Sequence, residues 1–310
     1  MGSTSYKQAK PGWQKIFLSF YREFPQFLVE ADRRRSAIDG LETGFSLWKA
    51  VGDELIFEVD VKTELAVGRA VRVWLDAISF YERDVLSDVS LALKGGAFIA
   101  TFPGPDSEST IPRQPTIEQS ADSVVRLNDK ALSGTRTPSK YLYDYFGPSI
   151  DTGFRVYSLS TQRNFTLSIE VAWAMAVSAH GEAADPDNPR LHAVDDFAFL
   201  GGHFLKGVWG GRDYPVFAID RHYHDPVNKA MASLRSSGFD SSKVIAICDA
   251  CSKDADWPFR MYLPDSAHAA FTVVPLDAME ELRHSEGNLD SIETAQYDEP
   301  GIVDPAPPLE

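Results

Sequence analysis

YLYDYFGPSIDTGFR, residues Tyr141 to Arg155, contains the turn and helix start from which the rest of the chain can be read. Gly147-Pro148 punctuates the run, and proline suits an early helical position because its missing N–H is not needed there. Ile150, Phe154 and Tyr157 then recur at helical spacing and predict a buried stripe. The run therefore reads as a turn entering the first turns of a helix, with Asp144 just before the turn. Asp151 and Arg155 lie four apart and share a helix face. They form either a solvated ion pair or two polar groups directed together into a cleft.

Two other short motifs bear on that choice. Lys49-Ala-Val-Gly52-Asp53 lies between two strand-like runs, and Leu205-Lys206-Gly207 follows a late apolar run. Together with Tyr143-Asp144 and Arg155, these motifs resemble, in order, those of class III nucleotidyl cyclases, the adenylate/guanylate cyclase catalytic domain. There Lys-x-x-Gly-Asp forms a hairpin, Tyr-Asp precedes a Gly-x-x-x-Asn-x-x-x-Arg helix, and Val-Lys-Gly comes late. Three motifs in order are more specific than any one of them. The resemblance covers roughly residues 1–220.

It implies an α+β fold: a ferredoxin-like domain with an antiparallel sheet and helices on one face, followed by a C-terminal α/β extension. It assigns base reading to Lys49 and Asp144, ribose orientation to Asp151 where the family has Asn, phosphate charge to Arg155 and Lys206, and metal binding to Asp53. In the family a first strand ends in another metal-binding Asp, shortly before Gly-Ser-Thr. Aligned on Gly2-Ser3-Thr4, that Asp falls upstream of Met1, so the first strand is expected to be missing here. The alternative is that Met-Gly-Ser is an expression scar.

The totals narrow the field. With 310 residues and 44% apolar content, the chain can build a sizeable core. A net charge of −15 argues against nucleic acid or an anionic membrane as partner, so a nucleotide would need a local group of cations and metal. No apolar run is long enough to span a bilayer and there is no signal peptide. The two cysteines, Cys248 and Cys251, make no disulfide framework, which points to the cytoplasm.

In chain order, Trp13 to Arg35 predicts a helix through Ile16, Phe17, Phe20, Phe24 and Phe27, kinked at Pro25, with Arg33-Arg34-Arg35 as a solvated end. Gly44 to Val61 predicts a hairpin turning at Gly52-Asp53. Thr63 to Leu86 predicts a core helix, and Val89 to Phe102 a buried strand. The Pro-, Ser- and Thr-rich run 103–139 reads as an insertion or flap. Phe165 to Ala179 carries a strand and then a helix broken at His180-Gly181. Phe197 to Leu205 and Tyr214 to Ile219 form an antiparallel pair. In the extension, 221–285, Asn228 to Leu234 is helical and Val244 to Cys248 strand-like. Cys248 and Cys251 are buried thiols, or form a zinc site with His222 and His224. Residues 286–310 form an acidic, Pro-rich disordered tail.

By the resemblance, the chain is an enzyme that turns a nucleoside triphosphate into a 3′,5′-cyclic nucleotide and pyrophosphate. It would use Mn²⁺ or Mg²⁺, two ions if the first Asp lies upstream, at sites shared across a homodimer. A Lys donor and an Asp acceptor suit adenine or cytosine through an amino group and a ring nitrogen, and uracil through O4 and N3–H. The family's guanylate cyclases carry Glu at the Lys49 position. A stand-alone chain with Asp151 and its own extension is similar to the pyrimidine cyclases of bacterial anti-phage (Pycsar-type) signalling. UTP to cyclic UMP is therefore expected. The alternatives are an adenylate cyclase and a catalytically inactive, nucleotide-binding cyclase-like domain.

Overall fold

Long amphipathic helices and short strands alternate along the chain. The result is an α+β protein in this computed structural model, which describes residues 6–8, 11–118, 122–183, 194–233 and 240–284. Helix α1 (Trp13–Asp39) is continuous through Pro25 and buries Phe17, Phe20, Phe24, Leu28 and Ala31. Helix α2 (Glu64–Asp84) starts where the Thr63 hydroxyl accepts the Ala66 N–H at 3.1 Å, satisfying one donor of the first turn. The two helices meet edge to face: Phe24 lies 5.2 Å from the Trp74 ring and 5.8 Å from Tyr81.

Arg69 locks that pair. It is 2% exposed and donates to Asp32 (2.5 Å), Asp39 (2.9 Å) and the Leu41 carbonyl (2.6 Å), with Thr43 also in reach. Burial pushes the Asp39 carboxyl up, but the bonds from Arg69 outweigh it and hold the group below its ordinary value. Arg33 and Arg34 pair with Glu30 on the helix surface, as expected of a solvated end, and Arg35 reaches across to Asp76 of α2.

Among the described residues the strands form three sheets. β1 (Ser46–Val51) and β2 (Glu54–Glu58) make the expected hairpin, with Gly52 in the left-handed region at φ 59° in its turn. β4 (Ser107–Pro112) and β5 (Tyr141–Phe146) pair antiparallel along their whole length. β3 (Gly96–Ala97), β6 (Asn164–Leu167), β8 (Asp213–Asp220) and β7 (Phe197–Phe204) form a four-stranded sheet in that spatial order. β3 runs parallel to β6 and the other pairs are antiparallel, so this sheet is mixed where an antiparallel one was expected. The long crossover from β3 to β6 permits the parallel pairing. Helix α5 (Ile169–Ala183) continues unbroken through Gly181 and packs against α2. It also packs against α7 (Ser241–Ser252) and the strands β6 and β8. Being covered on several sides, α5 is apolar nearly all round, with Val171 to Ala176 buried.

Several expectations change. Tyr141 to Phe146 is strand rather than turn, because every residue pairs with β4. The run 103–139 holds β4 and helix α3 (Val124–Ser133), so it is structured rather than a bare flap. Val244 to Cys248 is helical despite its β-branched residues: Asp240 caps the Ser242 N–H at 2.8 Å, and α5 receives the apolar face. Only Gly96 and Ala97 of the expected 89–102 strand are in a ladder, on the side facing β6. One hydrophobic core runs from Phe17 through Phe217 to Trp257, Phe259 and Phe271, so residues on both sides of position 220 share it. The chain is completed by α6 (Pro226–Ser233) and α8 (Glu280–His284), and the expected tail, 286–310, lies outside the described residues.

Candidate functional site

Helix α4 (Pro148–Ser158) follows β5 directly, and its start is fixed from outside the helix. Gly147 sits at φ 143°, and a Cβ there would lie 2.4 Å from Asp106 Oδ1. Asp106 is fully buried. Its Oδ1 accepts the Ser149 N–H at 2.9 Å and its Oδ2 the Thr101 N–H at 3.0 Å. A carboxylate at a helix N-terminus satisfies an otherwise unpaired donor and complements the helix dipole. Asp106 thus sets the position of α4 without belonging to it.

Ile150 and Val156 anchor α4 in the core, leaving Asp151 and Arg155 exposed on its outer face. Among the described residues, these two form no ion pair with each other. Both line a cleft of about 530 Å³, together with Gly207, Trp209, Asp256 and Phe259. The opposite wall is the loop after β7. Gly207, Gly210 and Trp209 all have positive φ there, and Trp209 at φ 48° is the one such non-glycine residue among those described. A left-handed tryptophan stores backbone strain, a feature that concentrates at functional sites. Its indole N–H donates to Asp254 at 3.1 Å, which holds the ring in place. Lys206, exposed, is adjacent to the wall residue Gly207.

Lys49 and Asp144, distant in sequence, are in direct contact: Lys49 Nζ lies 2.7 Å from Asp144 Oδ1 and 3.0 Å from Oδ2. The register of the hairpin shifts between Leu47 and Lys49, which makes Trp48 a bulge residue and re-aims the lysine. Lys49 Nζ also lies 4.1 Å from the Trp48 ring centroid, and Trp48 packs 5.0 Å from Tyr145. Oδ1 of Asp144 also accepts the Tyr145 N–H at 2.9 Å, which fixes the carboxylate. The pair is about one-third exposed, 28% and 33%, and so remains reachable by a ligand.

Asp53 stands apart from the cleft. It lines a second, larger groove of about 740 Å³ between β2 and the 93–102 segment, beside Glu54 and Tyr157. The Tyr157 hydroxyl donates to Glu54 at 3.0 Å, and burial followed by the Glu54 and Asp53 charges pushes that phenol well above its usual value. Two of the expected groupings are therefore formed, Lys49 with Asp144 and Asp151 with Arg155 beside the Lys206–Gly207 loop. Asp53 opens elsewhere in the same chain.

Sequence reasoning missed Asp106, hidden in the presumed insertion, and Asp256 and Phe259, which the extension contributes to the cleft. The only prior signal was the Phe102-Pro-Gly-Pro-Asp106 punctuation ahead of a paired strand. Cys248 and Cys251 are both buried on α7 while His222 and His224 are exposed, and no metal-holding group of three or more His, Cys, Asp or Glu occurs among the described residues. Burial pushes the Cys251 thiol up to about 11, as suits a buried structural thiol. No described helix is long and apolar enough to cross a membrane. No protein-family model, curated protein or solved structure matches the chain.

Proposed function

We propose that the chain is a nucleotidyl cyclase with a class III-like, ferredoxin-related catalytic domain, and that its reaction is UTP to cyclic UMP and pyrophosphate, an anti-phage second messenger. The observation that carries this reading is the shared cleft of Asp151, Arg155 and Gly207, formed from a helix and a loop far apart in sequence. Its volume falls within the range of small-molecule sites. The contact between Lys49 and Asp144 supports the reading independently, since it joins the two groups expected to face the base.

Cyclisation forms a bond from the ribose 3′-oxygen to the α-phosphorus, breaks the bond from that phosphorus to the pyrophosphate oxygen, and releases the hydroxyl proton to water. Arg155 neutralises charge on the α-phosphoryl oxygens, where a fixed cation acts most strongly in the transition state. The Asp151 carboxylate accepts a hydrogen bond from the ribose and orients it. Lys206 holds the terminal phosphates as a point charge. Lys49 donates to, and Asp144 accepts from, the base edge.

A hard divalent ion needs few protein ligands when substrate phosphates complete its shell. Asp53 offers one carboxylate on the groove toward such a site, beside Glu54. Bound there, Mn²⁺ or Mg²⁺ would lower the pKa of the 3′-hydroxyl and neutralise the leaving pyrophosphate. Asp53 and Arg155 open on different cavities, so a twofold homodimer is the arrangement that brings one protomer's Asp53 to its partner's cleft.

The Lys–Asp pair also accepts adenine, so the test compares bases. The protein is incubated with each of the four triphosphates and Mn²⁺, and cyclic nucleotide and pyrophosphate are quantified. Cyclic UMP as the main product is expected. ATP as sole substrate would overturn the choice of base, and no cyclic product from any triphosphate would overturn the activity.

A further inference from the structure

The connection from β7 to β8 turns twice around the buried Val208. The Val208 N–H bonds to the Leu205 carbonyl at 3.0 Å, closing a turn with Lys206 second and Gly207 third. Gly207 at φ 73° fits a type II turn, which needs a positive φ at its third position. Next, the Gly211 N–H bonds to the Val208 carbonyl and the Arg212 N–H to the Trp209 carbonyl, both at 3.0 Å. Between them Trp209, Gly210 and Gly211 stand at φ 48°, 58° and 84°, a left-handed turn. Left-handed backbone suits glycine and is costly for a bulky side chain. Trp209 is therefore the residue of this turn that its surroundings must hold.

Asp254, on the segment that follows α7, supplies the hold. One of its oxygens accepts the Trp209 indole N–H at 3.1 Å and the Asp256 N–H at 3.0 Å, and the other pairs with Arg212. The Arg212 guanidinium in turn lies 4.7 Å from the Trp209 ring centroid. The Trp257 ring meets Trp209 edge to face at 4.8 Å. One carboxylate thus fastens residues 209 and 212, the two ends of the left-handed turn. The bond from Trp209, then that from the Asp256 N–H and the Arg212 charge, hold the Asp254 carboxyl below its ordinary value, so it stays ionised at neutral pH. Trp209 and Asp256 line the cleft and Asp254 does not, so Asp254 acts on the cleft through its neighbours.

We propose that Asp254 is a positioning residue for a polyphosphate-holding loop: by locking Trp209 in its left-handed conformation, it sets where Lys206 stands. The two turns share Val208, so a change of backbone hand at Trp209 re-aims the turn that carries Lys206. A polyphosphate then meets a cation fixed in advance, and less of the binding free energy goes into ordering the loop. The segment beyond position 220 is on this basis part of the binding unit. The inference rests on the reading of Lys206 as the holder of the terminal phosphates.

The test uses amide hydrogen exchange and the binding of inorganic triphosphate, neither of which requires cyclisation. Asp254→Ala is expected to speed exchange at Gly211 and Arg212, whose amides close the left-handed turn, by about tenfold or more, with exchange in α5 unchanged. It is also expected to weaken triphosphate binding by about tenfold, as is Lys206→Ala. Adding Asp254→Ala to Lys206→Ala is expected to weaken binding no further, because Asp254 acts through the lysine. Asp254→Asn keeps an acceptor for the indole N–H and should fall between Asp254→Ala and the unsubstituted protein. Trp209→Phe removes the donor and should match Asp254→Ala. Should Asp254→Ala loosen α5 as well, Asp254→Asn carries the same comparison. Unchanged exchange at Gly211 and Arg212 would overturn the inference. So would additive losses in the double variant, a loosened turn with unchanged triphosphate affinity, or no triphosphate binding by the unsubstituted protein. If triphosphate binding responds as expected and no cyclic nucleotide forms, the cyclase reading falls and this inference stands.

Discussion

Asp106→Asn should loosen the start of α4 while leaving every cleft side chain unsubstituted. The carboxylate accepts two backbone N–H groups, from Thr101 at 3.0 Å and Ser149 at 2.9 Å, at a fully buried position. Hydrogen bonds to charged groups contribute about 1.5–3 kcal/mol each. Asparagine keeps one acceptor and turns an NH₂ donor toward the other N–H. One bond is lost and a buried donor is orphaned, while the relief of an uncharged side chain partly offsets the loss. The net cost is about 2–3 kcal/mol. For a chain of 310 residues that is a fall in Tm of about 3–5 °C.

Urea and thermal unfolding measure the cost, and amide exchange at Ser149 localises it. Gly147→Ala attacks the same contact from the other side, because its Cβ would meet Asp106 Oδ1 at 2.4 Å. The two substitutions should therefore combine with less than additive effect. An unchanged Tm with unchanged Ser149 exchange in Asp106→Asn would refute the claim that this carboxylate holds α4.

Four further substitutions probe other parts of the molecule. Burial, with Asp106 adding to it, pushes the Glu170 carboxyl up to about 7, against 4.5 in an unstructured chain. The folded form binds that proton more tightly, so stability is fullest below about pH 4.5, declines as the pH rises toward 7 and levels off above, by about 3 kcal/mol in all. Glu170→Gln should flatten that decline in urea titrations at pH 5 and 8. Arg69→Met should cost about 3–5 kcal/mol in denaturant unfolding, because it leaves Asp32 and Asp39 without their cation, and Asp39→Asn should recover part of it. Arg155→Ala, at an exposed position, should leave Tm within about 1 °C yet lower kcat by about a hundredfold or more.

Local patterns in the sequence reached the hairpin, α2, the start of α4 and the β7–β8 pair, since each is encoded by turn residues and apolar spacing within one short run. The pairing of Lys49 with Asp144 could be anticipated only through motif order, because nothing local joins positions so far apart. Four features escaped. Asp106 acts on a helix it does not belong to, and its polar neighbours read as a loop. Val244 to Cys248 has strand-like composition, but a cap at Asp240 and the packing surface of α5 decide in favour of helix. The 89–102 run has the composition of a buried strand, yet only Gly96 and Ala97 pair, on the edge toward β6. Asp256 and Phe259 reach the cleft through a core that continues past position 220, a tertiary fact with no local signature.

The most direct measurement is product analysis of the protein with UTP, ATP, CTP and GTP in Mn²⁺, alongside Arg155→Ala. The account predicts cyclic UMP and pyrophosphate in equal amounts from the native protein, and loss of both in the variant at unchanged Tm. Absence of any cyclic nucleotide from the native protein, or full activity in Arg155→Ala, would contradict it.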